Sequence, residues 1–139
     1  MASMLRDLMT SNPTTLDVSA TVSVAARAMR DLDVGDVLVM QNGDLRGIVT
    51  DRDIVVRCLA EGENPQSITV GELCTDALVT LSADASVADA VELMERHAIR
   101  RVPILENGSV LGIVSLGDLA VARAPRSALG QISAAPPSR

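Results

Sequence analysis

The run GIVTDRDI at residues 47–54 decides how this sequence is interpreted, and it returns as GIVSLGDL at residues 112–119. In each copy an apolar stretch ends at a hydroxyl residue, Thr50 or Ser115. An aspartate, Asp53 or Asp118, follows three positions later. This order predicts a buried strand that runs directly into a helix, with the hydroxyl residue at the junction.

Both copies belong to a longer internal repeat. When the chain is shifted by 65 residues, positions 5–60 align with positions 70–125 without a gap, and 16 of the 56 pairs are identical. An ungapped alignment of this length indicates two copies of one structural unit. We therefore divide the chain into a first repeat (5–60), a linker (61–69), a second repeat (70–123) and a tail (124–139). The tail is rich in Ala, Pro and Ser, and we expect it to be flexible.

Each repeat predicts the order β-α-β-β-α after a short helical lead-in at 5–9 or 70–74. Apolar residues at helical spacing, from Val22 to Leu32 and from Val87 to Met94, indicate the first helix of each repeat. Asn-Gly pairs predict tight hairpin turns between the second and third strands. The strands are expected at 14–18, 37–40 and 45–49 and at 79–83, 102–105 and 110–114, and the second helices at 51–60 and 116–123.

The predicted fold class is α+β, with helices on one face of a three-stranded sheet in each repeat. About 55 residues form a marginal core by themselves. We therefore expect the two repeats to pack through their sheets with pseudo-twofold symmetry.

The composition argues against several classes of protein. The chain contains no Phe, Trp, Tyr or Lys, and its net charge is −6 with a pI of about 4.6. Nucleic-acid binding is therefore not expected, because it relies on clustered cations and on aromatic stacking. No apolar run approaches the roughly 20 residues that span a bilayer, and no signal segment follows the first residues, so we expect a cytoplasmic protein without membrane contact.

Few residues offer catalytic or metal-binding chemistry. Cys58 and Cys74 are interpreted as small buried residues rather than a disulfide framework. His97, the only histidine of the sequence, is expected to pack at a helix end. No His/Cys/Asp cluster has the spacing of metal ligands and no serine lies in a nucleophile elbow, so we expect no catalytic residue, no metal and no enzymatic activity.

The two junctions have two interpretations. Thr50 with Asp53, and Ser115 with Asp118, match a helix capping box, which contributes roughly 1 kcal/mol to stability. The same geometry suits a ligand, because a helix N-terminus favours phosphate and a carboxylate accepts hydrogen bonds from a ribose diol. Gly47 and Gly112 lie inside predicted strands, where glycine often marks a close approach. Together these features outline a slot for a flat base.

The repeat resembles the cystathionine-β-synthase (CBS) motif, and two in tandem resemble a Bateman module. The resemblance rests on RRVPI at 100–104, DAVELM at 89–94, TDRDI at 50–54 and the two Gly-apolar-apolar-Thr/Ser-x-x-Asp runs. It covers about residues 5–123 and extends to small stand-alone bacterial proteins made of this pair. It implies an adenosyl ligand such as AMP, ADP, ATP, S-adenosylmethionine or NAD, no required cofactor, and a homodimer.

The resemblance also implies roles for particular positions. Asp53 and Asp118 would hold ribose hydroxyls, and Thr50 and Ser115 would meet ribose or phosphate. The backbone near Thr15 and Thr80 would meet the adenine edge. The remaining candidates are the pocket-lining Val37, Val39, Val102 and Ile104, together with Pro103, Arg52, Arg100 and Arg101.

The repeats differ at their candidate sites. Arg100, Arg101 and Pro103 match the family pattern, whereas the first repeat has Gly35, Asp36 and Leu38 there. The first repeat instead has Arg52, where the second has Gly117, and Arg52 is a candidate for contact with a phosphate. We expect the site around Asp118 to be better formed, although Arg100 and Arg101 also fit a solvated turn. The predicted function is a non-enzymatic sensor of an adenosyl ligand that acts on an unknown protein partner or through self-association. One alternative is a ligand-free interaction module. The other is a small nucleotide hydrolase, which is the least favoured because the sequence offers no metal site and no nucleophile.

Overall fold

A computed structural model describes residues 4–76, 79–123 and 126–135. The chain divides into two compact units. The first unit is Pro13–Leu78, and the second unit combines Met1–Asn12 with Val79–Arg139. The units therefore do not coincide with the sequence repeats. The short helical segment that begins each repeat belongs to the unit that holds the main strands of the other repeat.

The elements follow the predicted order, with additions. The first unit contains β2 (Thr15–Asp17), α2 (Val22–Leu32), β3 (Asp36–Gln41), β4 (Asp44–Thr50), α3 (Asp51–Asp53), a π-helical segment (Ile54–Leu59), α4 (Val70–Leu73) and β5 (Thr75–Asp76). The second unit contains α1 (Leu5–Leu8), β1 (Thr10–Ser11), β6 (Leu81–Ser82), α5 (Val87–His97), β7 (Arg101–Glu106), β8 (Ser109–Ser115), α6 (Leu116–Arg123) and α7 (Ala128–Ala134).

Each unit has a four-stranded sheet, which corrects the prediction of three strands. The strand orders are β2-β3-β4-β5 and β1-β8-β7-β6. The extra strands, β5 and β1, pair antiparallel with β4 and β8. They are two residues long and follow the lead-in helices. Segments this short carry no alternation of polar and apolar residues, so the sequence pattern did not reveal them.

The hairpins form as predicted. Asn42 and Gly43 have φ values of 53° and 84°, and Asn107 and Gly108 have 52° and 80°. Positive φ at both central residues matches the tight turn that Asn-Gly favours. The turns bring β4 back along β3, and β8 back along β7, so that Thr50 pairs with Asp36 and Ser115 with Arg101.

Each unit has its own apolar core between the sheet and the helices. The buried faces of α2 and α5 contribute Val22, Ala25 and Met29, and Ala90 and Met94, respectively. The N-terminus of α2 is capped by the Thr21 hydroxyl, and that of α5 by a complete Ser86–Asp89 capping box. Since aromatic side chains are absent from the sequence, close packing of Val, Leu, Ile and Met fills both cores.

The tail contains a helix that the sequence pattern did not predict. Residues Ala128–Ala134 form α7, and the Ser127 side chain accepts a hydrogen bond from the Gly130 amide at its start. Pro125 and the prolines at 136 and 137 lie outside this element and outside the described residues. A capped helix of seven residues fits between them.

The second helix of the first repeat also departs from expectation. It begins as α3 and continues as a π-helix, in which the Ala60 amide bonds the Val55 carbonyl at 2.9 Å, five residues back. Its counterpart α6 is α-helical over Leu116–Arg123. Nothing in the structure explains this difference.

Candidate functional site

The two strand-to-helix junctions have nearly identical geometry. At the first, the Thr50 amide donates to Asp53 Oδ2 at 2.9 Å, and the Asp53 amide donates to Thr50 Oγ1 at 3.1 Å. At the second, the same bonds join Ser115 and Asp118 at 2.9 and 3.1 Å. Both are complete capping boxes, so the capping interpretation is correct.

Capping does not use all the polar groups of these residues. Oδ2 of each aspartate accepts the capping bond, and among the described residues Oδ1 of neither aspartate has a protein donor. All four side chains are half-buried. Each junction therefore keeps one carboxylate oxygen and one hydroxyl proton for another partner.

The junctions differ at the first helical residue. At the first junction Asp51 Oδ1 accepts a hydrogen bond from the Arg52 amide at 2.8 Å, which places a second carboxylate on the helix N-terminus. At the second junction Leu116 occupies that position and has no polar side chain. Each additional carboxylate at a helix N-terminus opposes the binding of a further anion there. This difference supports the expectation that the second junction suits a phosphate better.

An edge strand lies beside each junction. Thr15 on β2 pairs with Leu38, which is two residues along β3 from Asp36, the partner of Thr50. Two residues of strand span about 7 Å. In the second unit Leu81 pairs with Ile104 on β7, and Thr80 directly precedes it. Because β2 and β6 are outer strands of their sheets, one side of their backbone is not used by the ladder.

The cores contain all four pocket-lining candidates, which are Val37, Val39, Val102 and Ile104. Their side chains have no exposed surface in this structure and pack within the apolar clusters of their units. A ligand beside β3 or β7 would therefore meet backbone groups rather than these side chains. Pro103 and its counterpart Leu38 are also buried, and they alternate with the core residues along the strand, so they lie on the opposite sheet face.

The candidate arginines frame the junctions differently. The Arg100 carbonyl accepts a hydrogen bond from the Leu116 amide at 2.8 Å, as the Gly35 carbonyl does from the Asp51 amide at 3.0 Å. Arg101 pairs with Ser115 across the sheet and is half-buried. The side chains of Arg100 and Arg52 are exposed. The structure thus brings Arg100 and Arg101 to the Ser115 junction and Arg52 to the Asp53 junction.

The conspicuous glycines do not form the slot that the sequence indicated. A Cβ at Gly47 would overlap the carbonyl oxygen of Thr75, and a Cβ at Gly112 would lie 2.5 Å from that of Thr10. The close approach predicted for these glycines is real, but the approaching backbone belongs to β5 and β1. The glycines therefore admit the extra strands, and this correction removes them from the ligand slot.

A cavity of about 420 Å³ adjoins Thr80 in the second unit. It is lined by β6, Asp84, Glu106 and the Asn107-Gly108 turn, and it includes neither Ser115 nor Asp118. Both acids pair with Arg6, at 3.2 and 2.8 Å, which raises the pKa of the guanidinium. The cavity lies at the hairpin end of β7, away from the junction, and its acidic lining disfavours phosphate.

Other chemistry is sparse in the part of the chain that the structure describes. Within it, no three His, Cys, Asp or Glu side chains come together as a metal site. Cys58 is buried and Cys74 half-buried, and both are free thiols. Desolvation raises the pKa of Cys74. His97 is exposed at the end of α5. None of the described helices is long and apolar enough to span a bilayer.

A family model places these two junctions in equivalent positions of one domain type. The CBS domain matches residues 5–59 and again residues 70–124. The chain belongs to the CBS domain family. With two such domains, this chain is a CBS-domain protein of the regulatory kind.

Relatives and solved structures agree with this assignment. The CBS domain-containing protein YhcV of Bacillus subtilis is 40% identical over 119 residues, covering 86% of this chain and 84% of the relative. Hypoxic response protein 1 of Mycobacterium tuberculosis is 38% identical over 116 residues, covering 83% and 81%. The crystal structure of Hypoxic Response Protein I with two coordinated zinc ions has a TM-score of 0.77 at 35% identity, covering 85% of this chain and 97% of that one. A hexameric CBS-CP12 protein from bloom-forming cyanobacteria has a TM-score of 0.81 at 28% identity, covering 90% and 74%.

Two features of the site were missed from the sequence. One is the second carboxylate at the first junction, Asp51, for which the signal was present as an acid directly after the N-cap. The other is α7, which packs against α6 at Gly117. The signal there was Gly117 itself, a poor helix former in the first turn of a helix.

Proposed function

We propose that this protein is a non-enzymatic sensor that binds an adenosyl ligand at the two strand-to-helix junctions. One observation carries the proposal: each unit places an edge strand, a helix N-terminus and an aspartate with a spare carboxylate oxygen in one corner. The outer backbone of β2 or β6 offers hydrogen bonds to an adenine edge. The aspartate accepts from ribose hydroxyls, and the helix N-terminus favours phosphate.

The experiment is calorimetric titration with AMP, ADP, ATP, S-adenosylmethionine and NAD. Protein concentration is taken from refractive index, since the chain has no Trp or Tyr. We expect saturable binding of at least one of them, and the loss of one binding event in Asp53→Ala and of the other in Asp118→Ala.

The chain supplies matched controls for the loss of a cap. Thr69–Glu72 and Ser86–Asp89 are capping boxes of the same kind, one in each unit and away from the junctions. Glu72→Ala and Asp89→Ala remove a cap and no proposed ligand contact. If they reduce binding as much as Asp53→Ala and Asp118→Ala do, the effect belongs to stability and the binding assignment is wrong.

A ligand-free interaction module is the second candidate, and one observation favours it. Val55, Val56 and Leu59, on the π-helical segment behind the first junction, are 56%, 43% and 54% exposed. Adjacent exposed apolar side chains are common at protein interfaces. We propose that this surface mediates self-association, as a homodimer, whether or not a ligand binds.

Sedimentation measurements test self-association directly. Val55→Arg should shift the protein toward monomer without loss of far-UV circular dichroism, whereas Val24→Arg, at a 39%-exposed valine on α2, should leave the association unchanged. Flat titrations with all five adenosyl ligands, together with intact self-association, would favour the interaction module over the sensor.

A further inference from the structure

The C-terminal helix α7 lies against the second junction, whereas none of the described helices is seen to cover the matching residue of the first junction. A Cβ placed on Gly117 would lie 3.0 Å from Ser133 Oγ, 3.2 Å from Ser133 Cβ and 3.6 Å from Ser115 Oγ. Ser133 of α7 therefore lies against the first turn of α6, beside the Ser115 hydroxyl. At the equivalent place in the first unit the Arg52 side chain is exposed.

This contact explains why the repeats differ at that position. Glycine leaves room for Ser133, because a Cβ at 3.0–3.2 Å would require the Ser133 side chain to shift. An arginine like Arg52 would push α7 away. The contact is a close approach of small residues, Gly117 on α6 and Ser133 on α7, and Gly130 is the one buried residue of α7.

At this contact the end of α7 presents partial negative charge to the start of α6, as a bound anion would. Ser133 lies in the last turn of α7, and Gly117 in the first turn of α6. The C-terminal end of a helix carries partial negative charge and the N-terminal end partial positive charge. The carboxyl end of α7 therefore approaches the same helix end that attracts phosphate.

The apolar attachment of α7 is limited. Leu129 and Ile132, its two large apolar side chains, are 49% and 72% exposed. With so little apolar surface buried, hydrophobic contact adds little to hold α7 in place. Release of α7 would therefore expose little further apolar surface from these two side chains.

We infer that α7 is an autoinhibitory latch, which occupies the phosphate side of the Ser115–Asp118 junction until an adenosyl ligand displaces it. This inference rests on the proposed function. The two junctions are then inequivalent: the first binds without rearrangement, and the second binds only when α7 leaves. Ligand occupancy of the second junction is thereby converted into the release of the C-terminal segment.

The test isolates the second junction by silencing the first with Asp53→Ala. In that background Gly130→Leu places a large side chain at the one buried position of α7 and should detach the helix. Ala134→Leu adds the same side chain at an exposed position of the same helix and is the control. AMP and ATP are titrated by calorimetry, and hydrogen exchange of residues 128–134 reports whether α7 is detached.

We expect Asp53→Ala/Gly130→Leu to bind AMP or ATP roughly 5- to 20-fold more tightly than Asp53→Ala alone, since affinity rises as the competent fraction increases. The Ala134→Leu control should leave the affinity unchanged. AMP or ATP should also speed exchange of residues 128–134 in Asp53→Ala.

A second variant tests the latch by closing it. In Gly117→Cys/Ser133→Cys the two Cβ atoms would start 3.2 Å apart, slightly inside the 3.5–4.5 Å of disulfides. Oxidation should abolish binding at the second junction and leave the first intact, and reduction should restore it. Equal affinity of Asp53→Ala with and without Gly130→Leu would overturn the latch and leave the sensor standing. An absence of AMP and ATP binding in every variant would overturn the latch, and an absence of binding of all five ligands by the unmodified protein would overturn the sensor as well.

Discussion

The two units share a frame and differ at the end of one helix. Both junctions carry the same capping box with the same bond lengths, and both strands that lead into them carry a glycine that admits a strand from the other repeat. The first junction then continues with Asp51 and Arg52, and the second with Leu116 and Gly117. The two units thus share the strands and caps that stabilise each junction, and they differ in the residues at the helix N-terminus that would contact an anion.

The largest expected effect tests the shared frame. Gly47→Ala and Gly112→Ala should each destabilise the protein by about 1–3 kcal/mol, because the new methyl group meets backbone atoms that cannot rotate away. Urea unfolding followed by far-UV circular dichroism measures the loss.

The cause of that loss can be separated from side-chain crowding. A methyl group on Gly47 would also lie 2.8 Å from the Cys74 sulfur, and one on Gly112 would lie 2.8 Å from the Met9 sulfur. Cys74→Ala and Met9→Ala remove these sulfur atoms but leave the carbonyl oxygens in place. Neither change should rescue the corresponding alanine variant. A cost below about 0.5 kcal/mol in one unit and not in the other would show that the frames are unequal.

The caps are expected to contribute less and equally. Thr50→Ala and Ser115→Ala each remove an acceptor from a complete capping box, which costs about 1 kcal/mol. Ser86→Ala removes the same acceptor from α5 and is the reference. If the ligand interpretation alone accounted for the junction residues, the two junction variants would unfold at the same urea concentration as the unmodified protein.

Features that depend on residues close together in the sequence were predicted, and features that depend on distant residues were not. Asn-Gly turns and Thr/Ser-x-x-Asp caps are decided by residues within four positions, so both were predicted at the residues where they occur. The partners of Gly47 and Gly112 come from segments distant in sequence, and two-residue strands leave no periodic trace. Because Val37, Leu38 and Val39 are all buried, their run has no alternation to show which side chains face the core.

The residues that distinguish the junctions can be exchanged. Asp51→Leu, measured in an Asp118→Ala background, should tighten AMP binding at the first junction by about 2- to 5-fold. It removes a carboxylate from the helix N-terminus, an effect of roughly 0.3–1 kcal/mol, and frees the Arg52 amide. Leu116→Asp, measured in an Asp53→Ala background, should weaken the second junction by a similar factor. Calorimetry measures both, and changes of the same sign in the two variants would contradict the electrostatic explanation.

The smallest effect concerns a turn where the units exchange an acid and a hydroxyl. In the first unit Asp17 accepts hydrogen bonds from the amide and hydroxyl of Ser19, which lower the pKa of its carboxyl. In the second unit the order is reversed, and the Ser82 hydroxyl accepts from the Asp84 amide. Because the folded-state pKa of Asp17 is lowered, its ionisation stabilises the fold above the ordinary pKa of 3.8, and this contribution disappears as the pH falls through the folded value.

Ser19→Ala should therefore raise the pKa of Asp17 toward its ordinary value and reduce the loss of stability on acidification below about pH 4. Carbon-detected NMR titration of the carboxyl groups measures the pKa, and urea midpoints at pH 3 and pH 7 measure the stability. Ser82→Ala is the matched control. It removes the hydrogen bond that the Asp84 amide donates to the Ser82 hydroxyl, and this bond does not depend on a carboxylate charge. An Asp17 pKa that does not move in Ser19→Ala would mean that the turn is held by its backbone, and the first unit would then be no more sensitive to acid at this turn than the second.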